Sequence, residues 1–358
     1  MRNAGKWKKG VALLTALVLA AGLIGCSSGK GTEPEETTAK ETTAADMTAE
    51  PADETTAAEP VTVRVGSLKG PTSMGLVSLM DRAEQGSAEG RYEFRMETAA
   101  DTLLAAMIKG ELDIALVPAN VASVLYNKTE GQVAVIDINT LGVLYVVTAD
   151  EGIQSMADLK GKTIYLTGKG TSPEYVLRYL LAENGLTEAD VTLEFKSEAA
   201  EVVSALAADP TATGVLPQPF ATVACAQNES FRTALDLTAE WDAVQGEGGS
   251  RLVTGVTVVR KAFLEEQEAA VQTLIREHEA SAAFARENVE EAAELVAAAG
   301  IIEKAAVAAK AMPYCNITCL TGEEMQEALE GYLTVLFEQD PSAVGGALPE
   351  ADFYYSAQ

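Results

Sequence analysis

Hydrophobic and polar positions follow two alternating rhythms along most of the chain. Short apolar or period-two runs predict strands, and longer stretches with apolar residues three and four apart predict helices. The predicted strands are 61–65, 92–96, 113–117, 133–138, 141–148, 162–166, 191–195, 214–216 and 252–259. The predicted helices are 72–85, 101–109, 119–126, 173–184, 198–208, 219–226, 263–299 and 323–337.

Regular alternation of strand and helix predicts an α/β protein with mostly parallel sheets flanked by helices. The pattern restarts after residue 150, which predicts two lobes. The long helices near the C-terminus have no strands of their own, so we expect them to pack on the first lobe. The prediction is a first lobe of residues 61–149 plus 255–358 and an inserted second lobe of residues 150–254. Two crossover segments would form the hinge.

The first sixty residues differ from the rest. Residues 2–9 carry four positive side chains, and residues 11–25 form an almost wholly apolar run of 15 residues. A membrane-spanning helix needs about 20 residues, so residues 1–25 are predicted to be a signal peptide. Residues 26–60 are rich in Thr, Ala, Glu and Pro, and such a composition predicts a disordered tether.

Composition excludes several classes of function. The chain has 358 residues with 26 Lys+Arg against 53 Asp+Glu, a formal charge of -27. Such a protein repels phosphate backbones, so we expect no nucleic-acid partner. One His and 4 Cys leave little room for zinc sites or histidine-based catalysis. We therefore predict no catalytic residue, no cofactor and no metal, and we interpret His278, between two glutamates, as part of a solvated helix face.

Small polar residues follow several predicted strands, at the sheet edge where α/β proteins bind ligands. Two loops stand out, 69–73 after the first strand and 167–172 after the restart, and between them we expect a small, polar, neutral or weakly charged solute. The glycines of 167–172 do not match a nucleotide-binding loop. For each residue the alternative is a helix cap or a turn. The predicted ligand-binding residues are Lys69, Gly70, Thr72, Ser73, Asn120, Thr140, Thr167, Gly168, Lys169, Gly170, Thr171, Ser172 and Gln218.

The sequence contains one close pair of cysteines, Cys315 and Cys319. On a regular helix, side chains four residues apart are too distant for a disulfide. In a loop after Pro313 they can bridge, and an exported protein permits it. The sequence leaves both arrangements open.

Four stretches together resemble a known family. They are the end of the apolar run at Cys26 with its tether, VGSLKGPT at 65–72, GELDIALVP at 110–118 and SMADLKGKTI at 155–164. The chain resembles solute-binding proteins of ABC importers, of the nitrate and taurine (NitT/TauT) group, which also includes thiamine-precursor binding proteins. The resemblance implies a two-lobe type II periplasmic-binding-protein architecture.

The resemblance also implies a function. Small residues before Cys26 resemble the lipobox of bacterial lipoproteins, which implies a lipid on that cysteine. The expected protein is exported and anchored by lipid alone to the outer face of the cytoplasmic membrane. As a monomer it would capture a small molecule between its lobes and deliver it to an ABC permease and its ATPase.

Two other functions remain open at this point. One is an enzyme on the same two-lobe scaffold, of the pyrimidine-synthase or menaquinone-pathway kind. The export signal argues against it, because such enzymes are normally cytosolic. The other is a surface receptor that works without a transporter.

Overall fold

The computed structural model describes residues 61–209 and 211–356. The predicted signal peptide (1–25), Cys26 and the predicted tether (26–60) lie outside these residues. Among the helices described, none combines the length and the apolar character needed to cross a membrane.

Strands and helices alternate over the described residues. The strands are β1 (Thr62–Leu68), β2 (Arg91–Glu97), β3 (Ile114–Pro118), β4 (Val133–Leu141), β5 (Leu144–Thr148), β6 (Thr163–Leu166), β7 (Thr192–Phe195), β8 (Thr213–Pro217), β9 (Arg232–Asp236), β10 (Val253–Arg260) and β11 (Ile317–Leu320). The helices are α1 (Pro71–Met74), α2 (Val77–Glu84), α3 (Ala100–Ile108), α4 (Ala119–Lys128), α5 (Ser172–Glu183), α6 (Ala199–Ala208), α7 (Phe220–Gln227), α8 (Leu237–Gln245), α9 (Lys261–Glu266), α10 (Glu268–Glu287), α11 (Val289–Ala298), α12 (Ala305–Ala311) and α13 (Gly322–Gln339).

The strands of residues 61–209 and 211–356 form two mixed sheets. Sheet I has the order β11-β4-β10-β3-β1-β2, and sheet II has the order β7-β6-β8-β5-β9. In sheet I, β1 runs parallel to β2 and β3, while β10 runs antiparallel to β3 and β4. In sheet II, β6 runs parallel to β7 and β8, while β5 runs antiparallel to β8 and β9. Most strands in each sheet share one direction, which confirms the predicted class of fold.

The chain passes from sheet I to sheet II at residues 142–143. The predicted strand 141–148 is wrong as a single element, because its beginning belongs to β4 and the rest is β5 in the other sheet. Gly142 marks the crossover, where a Cβ atom would collide with the Thr238 hydroxyl. The strand Leu144–Thr148, which the sequence prediction placed in the first lobe, therefore pairs in sheet II. The chain returns to sheet I with β10.

Other predicted elements differ in detail. The predicted helix 72–85 is interrupted between α1 and α2, and the predicted helix 263–299 is three consecutive helices, α9 to α11. β9, α8, α12 and β11 were not predicted, although α8 carries Leu237, Trp241 and Val244 at helical spacing.

The C-terminal helices share a core with the first strand and helices. Val65 of β1 and Leu79 of α2 are fully buried in one cluster with Leu274 of α10. Farther along the same face of α10, Met74 packs in a cluster with Ala282 and Ile317. These contacts place α10 and β11 against sheet I.

Candidate functional site

A cleft of about 850 Å³ lies between the two sheets. Its walls are the segments that follow β1, β2 and β3 in sheet I and β6, β7 and β8 in sheet II. These strands run parallel within each sheet, so their carboxyl ends meet at one edge. Ligands of α/β proteins bind at this edge.

Among the described residues, four helices of eight or more residues begin at the wall of the cleft. α3 starts at Ala100, α5 at Ser172, α6 at Ala199 and α7 at Phe220, and each of these residues lines it. Within the described residues, none of the four N-cap side chains makes a capping hydrogen bond. Helix N-termini carry partial positive charge and leave first-turn N–H groups for solvent or ligand, although at α7 the Gln218 side chain accepts from the N–H of Thr222.

The charged side chains around the cleft are mainly cationic. The whole chain has a formal charge of -27, so the balance of charge around the cleft is opposite to that of the protein as a whole. Among the described residues, five lysines and three carboxylates line it: Lys69, Lys128, Lys169, Lys196 and Lys304, with Asp101, Glu198 and Glu303. Two of the lysines lie over aromatic rings. The Lys169 Nζ atom is 5.7 Å from the centroid of Phe195, and the Lys196 Nζ atom is 4.9 Å from that of Tyr165.

Much of the remaining wall is apolar. It is formed by aliphatic side chains and one phenylalanine: Leu68, Leu104, Val121, Val124, Leu144, Phe220, Val223, Ile301, Ile302 and Val307. A ligand that fills the cleft therefore meets both cationic groups and hydrocarbon.

Nine of the predicted ligand-binding residues line the cleft. They are Lys69, Gly70, Thr72, Thr167, Gly168, Lys169, Gly170, Thr171 and Ser172. In the second loop, Gly168 and Gly170 have φ angles of 76° and 73°, a left-handed conformation that favours glycine.

The two threonine hydroxyls of this set already have local acceptors. Thr72 Oγ1 donates to the Leu68 carbonyl at 3.0 Å, and Thr171 Oγ1 donates to the Gly168 carbonyl at 2.7 Å. Each hydroxyl thus shapes its own loop and keeps only its oxygen lone pairs for a ligand.

The other four predicted residues lie behind the wall, and three of them make local hydrogen bonds. The Ser73 hydroxyl is 2.7 Å from that of Ser67, and Thr140 Oγ1 donates to Asn139 at 2.9 Å. Gln218 Oε1 accepts from the backbone N–H and the hydroxyl of Thr222, in the first turn of α7. Gln218 thus has the capping role that the sequence left open, whereas Ser73 lies within α1 and Thr140 lies within β4 and not in a turn.

Asn120, the fourth, joins the two sides of the molecule. Its Nδ2 donates to the carbonyls of Gly170 at 3.3 Å and Ala343 at 3.0 Å. Its Oδ1 accepts from the Ser172 hydroxyl at 3.2 Å. A fully buried side chain at the start of α4 thus fixes the position of the loop before α5.

Three further segments of the wall were not among the predicted residues: 98–101, 196–200 and 300–304. The first two follow β2 and β7, so the rule that selected the other loops would have found them. The third is the turn between α11 and α12, and no local signal connects it to the cleft.

The sequence left the arrangement of the two cysteines open, whereas it gave a definite expectation for the histidine. Cys315 and Cys319 are free thiols in the structure. The Cys315 thiol donates to the Ala311 carbonyl at 3.4 Å, whereas the Cys319 thiol is 4.0 Å from Nδ1 of His278. His278 is fully buried, so the expected solvated position is wrong. The glutamates on either side of His278 suggested an exposed helix face, but the face of α10 that carries His278 packs on sheet I.

Comparison with known proteins identifies the family. The sequence profile of the family described as "ABC transporter, phosphonate, periplasmic substrate-binding protein" matches residues 84–309, more than half of the chain. The chain belongs to this family. The membership confirms the resemblance to ABC-importer solute-binding proteins, and it agrees with the prediction that the chain is not an enzyme.

Individual relatives are more distant. A binding protein of Brucella abortus is 29% identical over 202 residues, 56% of this chain and 59% of that protein's length. A solved ABC transporter protein from Parabacteroides distasonis is 25% identical, with a TM-score of 0.69 over 83% of this chain and 99% of that one. The periplasmic aliphatic sulphonate binding protein SsuA from Escherichia coli shares the fold, with 17% identity and a TM-score of 0.67 over 84% and 93% of the two chains.

Proposed function

We propose that this protein captures a small organic anion in the cleft between its two sheets and delivers it to an ABC importer. One observation carries the proposal: helix N-termini from both sides open into a cleft with more lysines than carboxylates. The rest of the chain is strongly acidic, so this excess of lysines favours an anion over the neutral or weakly charged solute expected from sequence.

The ligand we propose carries one tetrahedral oxyanion group and an apolar portion. Phosphonate is named in the description of the family, and aliphatic sulphonate in that of the Escherichia coli neighbour. Both are compact anions on a carbon chain. The lysines and N–H groups suit the anionic head, and the aliphatic wall suits the chain.

We further propose that the two sheets with their helices act as lobes around this ligand. The first lobe comprises residues 61–142 with 253–356, and the second comprises the contiguous residues between them. This moves the boundary expected at 149/150 to the Gly142 crossover, because β5 pairs in sheet II. The segments before β5 and before β10 are the hinge, and Asn120 holds the closed arrangement.

Export and anchoring are part of the same proposal. The segment before residue 61 directs the chain across the cytoplasmic membrane, and a lipid on Cys26 keeps it on the outer face. A monomer on this tether presents its ligand to the permease and ATPase. Mass spectrometry of the native N-terminal peptide checks this. A mature N-terminus at acylated Cys26 is expected, and a free Cys26 thiol would contradict it.

A thermal-shift series tests the ligand class. The probes are inorganic phosphate, methylphosphonate, butylphosphonate, butanesulfonate and, as the neutral control, butanol. Binding to the folded state raises the melting temperature. A ligand at a hundred times its dissociation constant adds about 2.7 kcal/mol to the free energy of unfolding. The butyl anions should raise it most. The proposal would be overturned if only butanol raised the melting temperature. It would also be overturned if none of the anions raised it.

Delivery is tested separately, by uptake of the best probe in cells that carry or lack this gene. Loss of uptake without the gene supports an importer component. If the purified protein binds the probe but cells that lack the gene take it up undiminished, the alternative of a surface receptor is favoured.

A further inference from the structure

Three side chains of different chemistry meet behind sheet I. Asp137 lies on β4, His278 on α10 and Cys319 on β11, and their donor atoms lie within 4.8 Å of one another. Asp137 and His278 are fully buried and Cys319 is half-buried. None of the three lines the cleft between the sheets. We call them the β4–α10–β11 cluster.

Nδ1 of His278 cannot form good hydrogen bonds to both of the other side chains in the cluster. The Asp137 Oδ2 atom is 3.1 Å from Nδ1 of His278, and the Cys319 Sγ atom is 4.0 Å from the same nitrogen. A ring nitrogen carries either one proton or one lone pair, so it forms one good hydrogen bond. A cation between the three atoms would bind all of them at once.

The carboxylate is already oriented for such a role. Thr257 Oγ1 donates to Asp137 Oδ1 at 2.7 Å, and Asn139 Nδ2 donates to Thr257 Oγ1 at 3.2 Å. These bonds hold one carboxylate oxygen and leave Oδ2 facing His278. Partners of this kind fix the ligands of protein metal sites.

We propose that the β4–α10–β11 cluster binds one divalent transition-metal ion of the zinc type. Oxygen, nitrogen and sulfur donors together suit zinc, which binds each of them in proteins. One carboxylate, one thiolate and one neutral imidazole balance the charge of the ion, so the complex can be buried without a net charge. The fourth coordination position is open to water.

The ion would add a link between β4, α10 and β11, which already pack together in the buried core. β11 pairs with β4 only at Ile317 and Leu320, with an irregular register between the two pairs. α10 comes from a separate layer. The site therefore adds stability to the first sheet, and we expect no direct part in solute capture.

The test uses cobalt as a spectroscopic probe. The full chain is reduced, stripped with EDTA, dialysed and titrated with Co²⁺. One equivalent should produce a thiolate-to-cobalt charge-transfer band, and Zn²⁺ should displace it. Because the chain contains a single histidine, its imidazole ¹⁵N signals identify that residue without assignment. The Nδ1 signal should shift with Zn²⁺.

Matched variants locate the site. Cys319→Ala should abolish the band, whereas Cys315→Ala, four residues away, should keep it. Thr257→Val should weaken cobalt binding about 10- to 100-fold, because it frees the carboxylate to rotate. Circular dichroism checks that each variant is folded.

The outcomes are distinguishable. A parent protein with no charge-transfer band overturns the proposal whatever the variants do. A band that persists in Cys319→Ala overturns it as well, since the metal then binds elsewhere.

Discussion

The two sheets have the same α/β construction but differ in what they bury. Around sheet I, the carboxylates of Asp113, Asp137 and Glu277 are almost inaccessible to solvent. Around sheet II, Glu174 is the one buried carboxylate among the described residues. The rest of that interior combines apolar side chains such as Leu166 and Val215 with uncharged polar ones such as Thr148 and Thr213.

The buried carboxylates of the first sheet join segments that are distant in sequence. Asp113 accepts hydrogen bonds from Arg64 at 2.6 and 2.8 Å and from Arg260 at 2.6 Å. Glu277 on α10 accepts from Arg82 and from the Tyr92 hydroxyl, each at 2.7 Å. The first sheet is built from two separated stretches of chain, and directional bonds fix how they meet. The second is built from one stretch and relies on apolar packing.

The largest effect should come from Glu277→Gln. Its carboxylate accepts from four donors, including the backbone N–H groups of Glu89 and Gly90 at 3.0 Å. An amide can accept at only one of its two ends, so donors are left unpaired in a buried site. We expect the free energy of unfolding to fall by about 3–5 kcal/mol in urea denaturation.

Glu89→Gln is the control for that substitution. The Glu89 side chain is 63% exposed and pairs only with Arg276 on the surface. Its effect should stay within about 0.5 kcal/mol. Equal losses in the two variants would show that the buried carboxylate has no special role in joining the segments.

A smaller effect, dependent on pH, is expected for Asp113→Asn. Burial by itself raises the pKa of the Asp113 carboxyl, but the hydrogen bonds from Arg64 and Arg260 outweigh it and lower the pKa below 3.8. The charged form therefore stabilises the fold above the unfolded-state pKa of about 3.9. That contribution is lost as the pH falls through the lowered folded-state value.

Denaturation of the parent and of Asp113→Asn at several pH values measures this. We expect a difference of about 1–3 kcal/mol at neutral pH that shrinks below about pH 4. Asp242→Asn, on an exposed part of α8, serves as the control and should show no such change. A difference that is the same at every pH would contradict the assigned charge state.

The two sides of the cleft are compared by Lys69→Met and Lys169→Met. Each removes one cation from one wall, so each should weaken butylphosphonate binding about tenfold in calorimetric titration. Lys310→Met, exposed on α12 and outside the cleft, should bind like the parent. An effect from one lysine alone would show that only one lobe holds the anionic head.

The smallest effect is expected for Thr72→Val and Thr171→Val. Their hydroxyl hydrogens are already donated to the carbonyls of Leu68 and Gly168, so a ligand uses only the oxygen and the shape of the loop. We expect about fivefold weaker binding for each variant by the same titration. If both variants bind like the parent, these loops shape the wall without touching the ligand.

The class of fold and most of its elements were predictable from hydrophobic spacing. Strands such as β1 and helices such as α5 carry a clear period and a local stop signal, so their residues suffice. The loop 167–172 was predictable for a related reason, since small residues after a strand are required for close approach of backbone and ligand.

The hydrophobic period did not predict the boundaries of an element where those boundaries depend on pairing with other strands. The run 141–148 is uniformly apolar, and only pairing with β10 on one side and β8 on the other divides it between two sheets. The charge of the cleft was hidden as well, because its lysines come from separate segments of an acidic chain.

The sequence by itself determined the α/β class, the order of the elements and two of the loops that face the cleft. It did so because spacing, glycine and local hydrogen bonds act over a few residues. Only the tertiary structure decided which polar side chains are buried. Ser73, Asn120 and His278 are polar side chains, yet each is fully buried. Burial depends on packing between distant segments, and that information is absent from any local pattern.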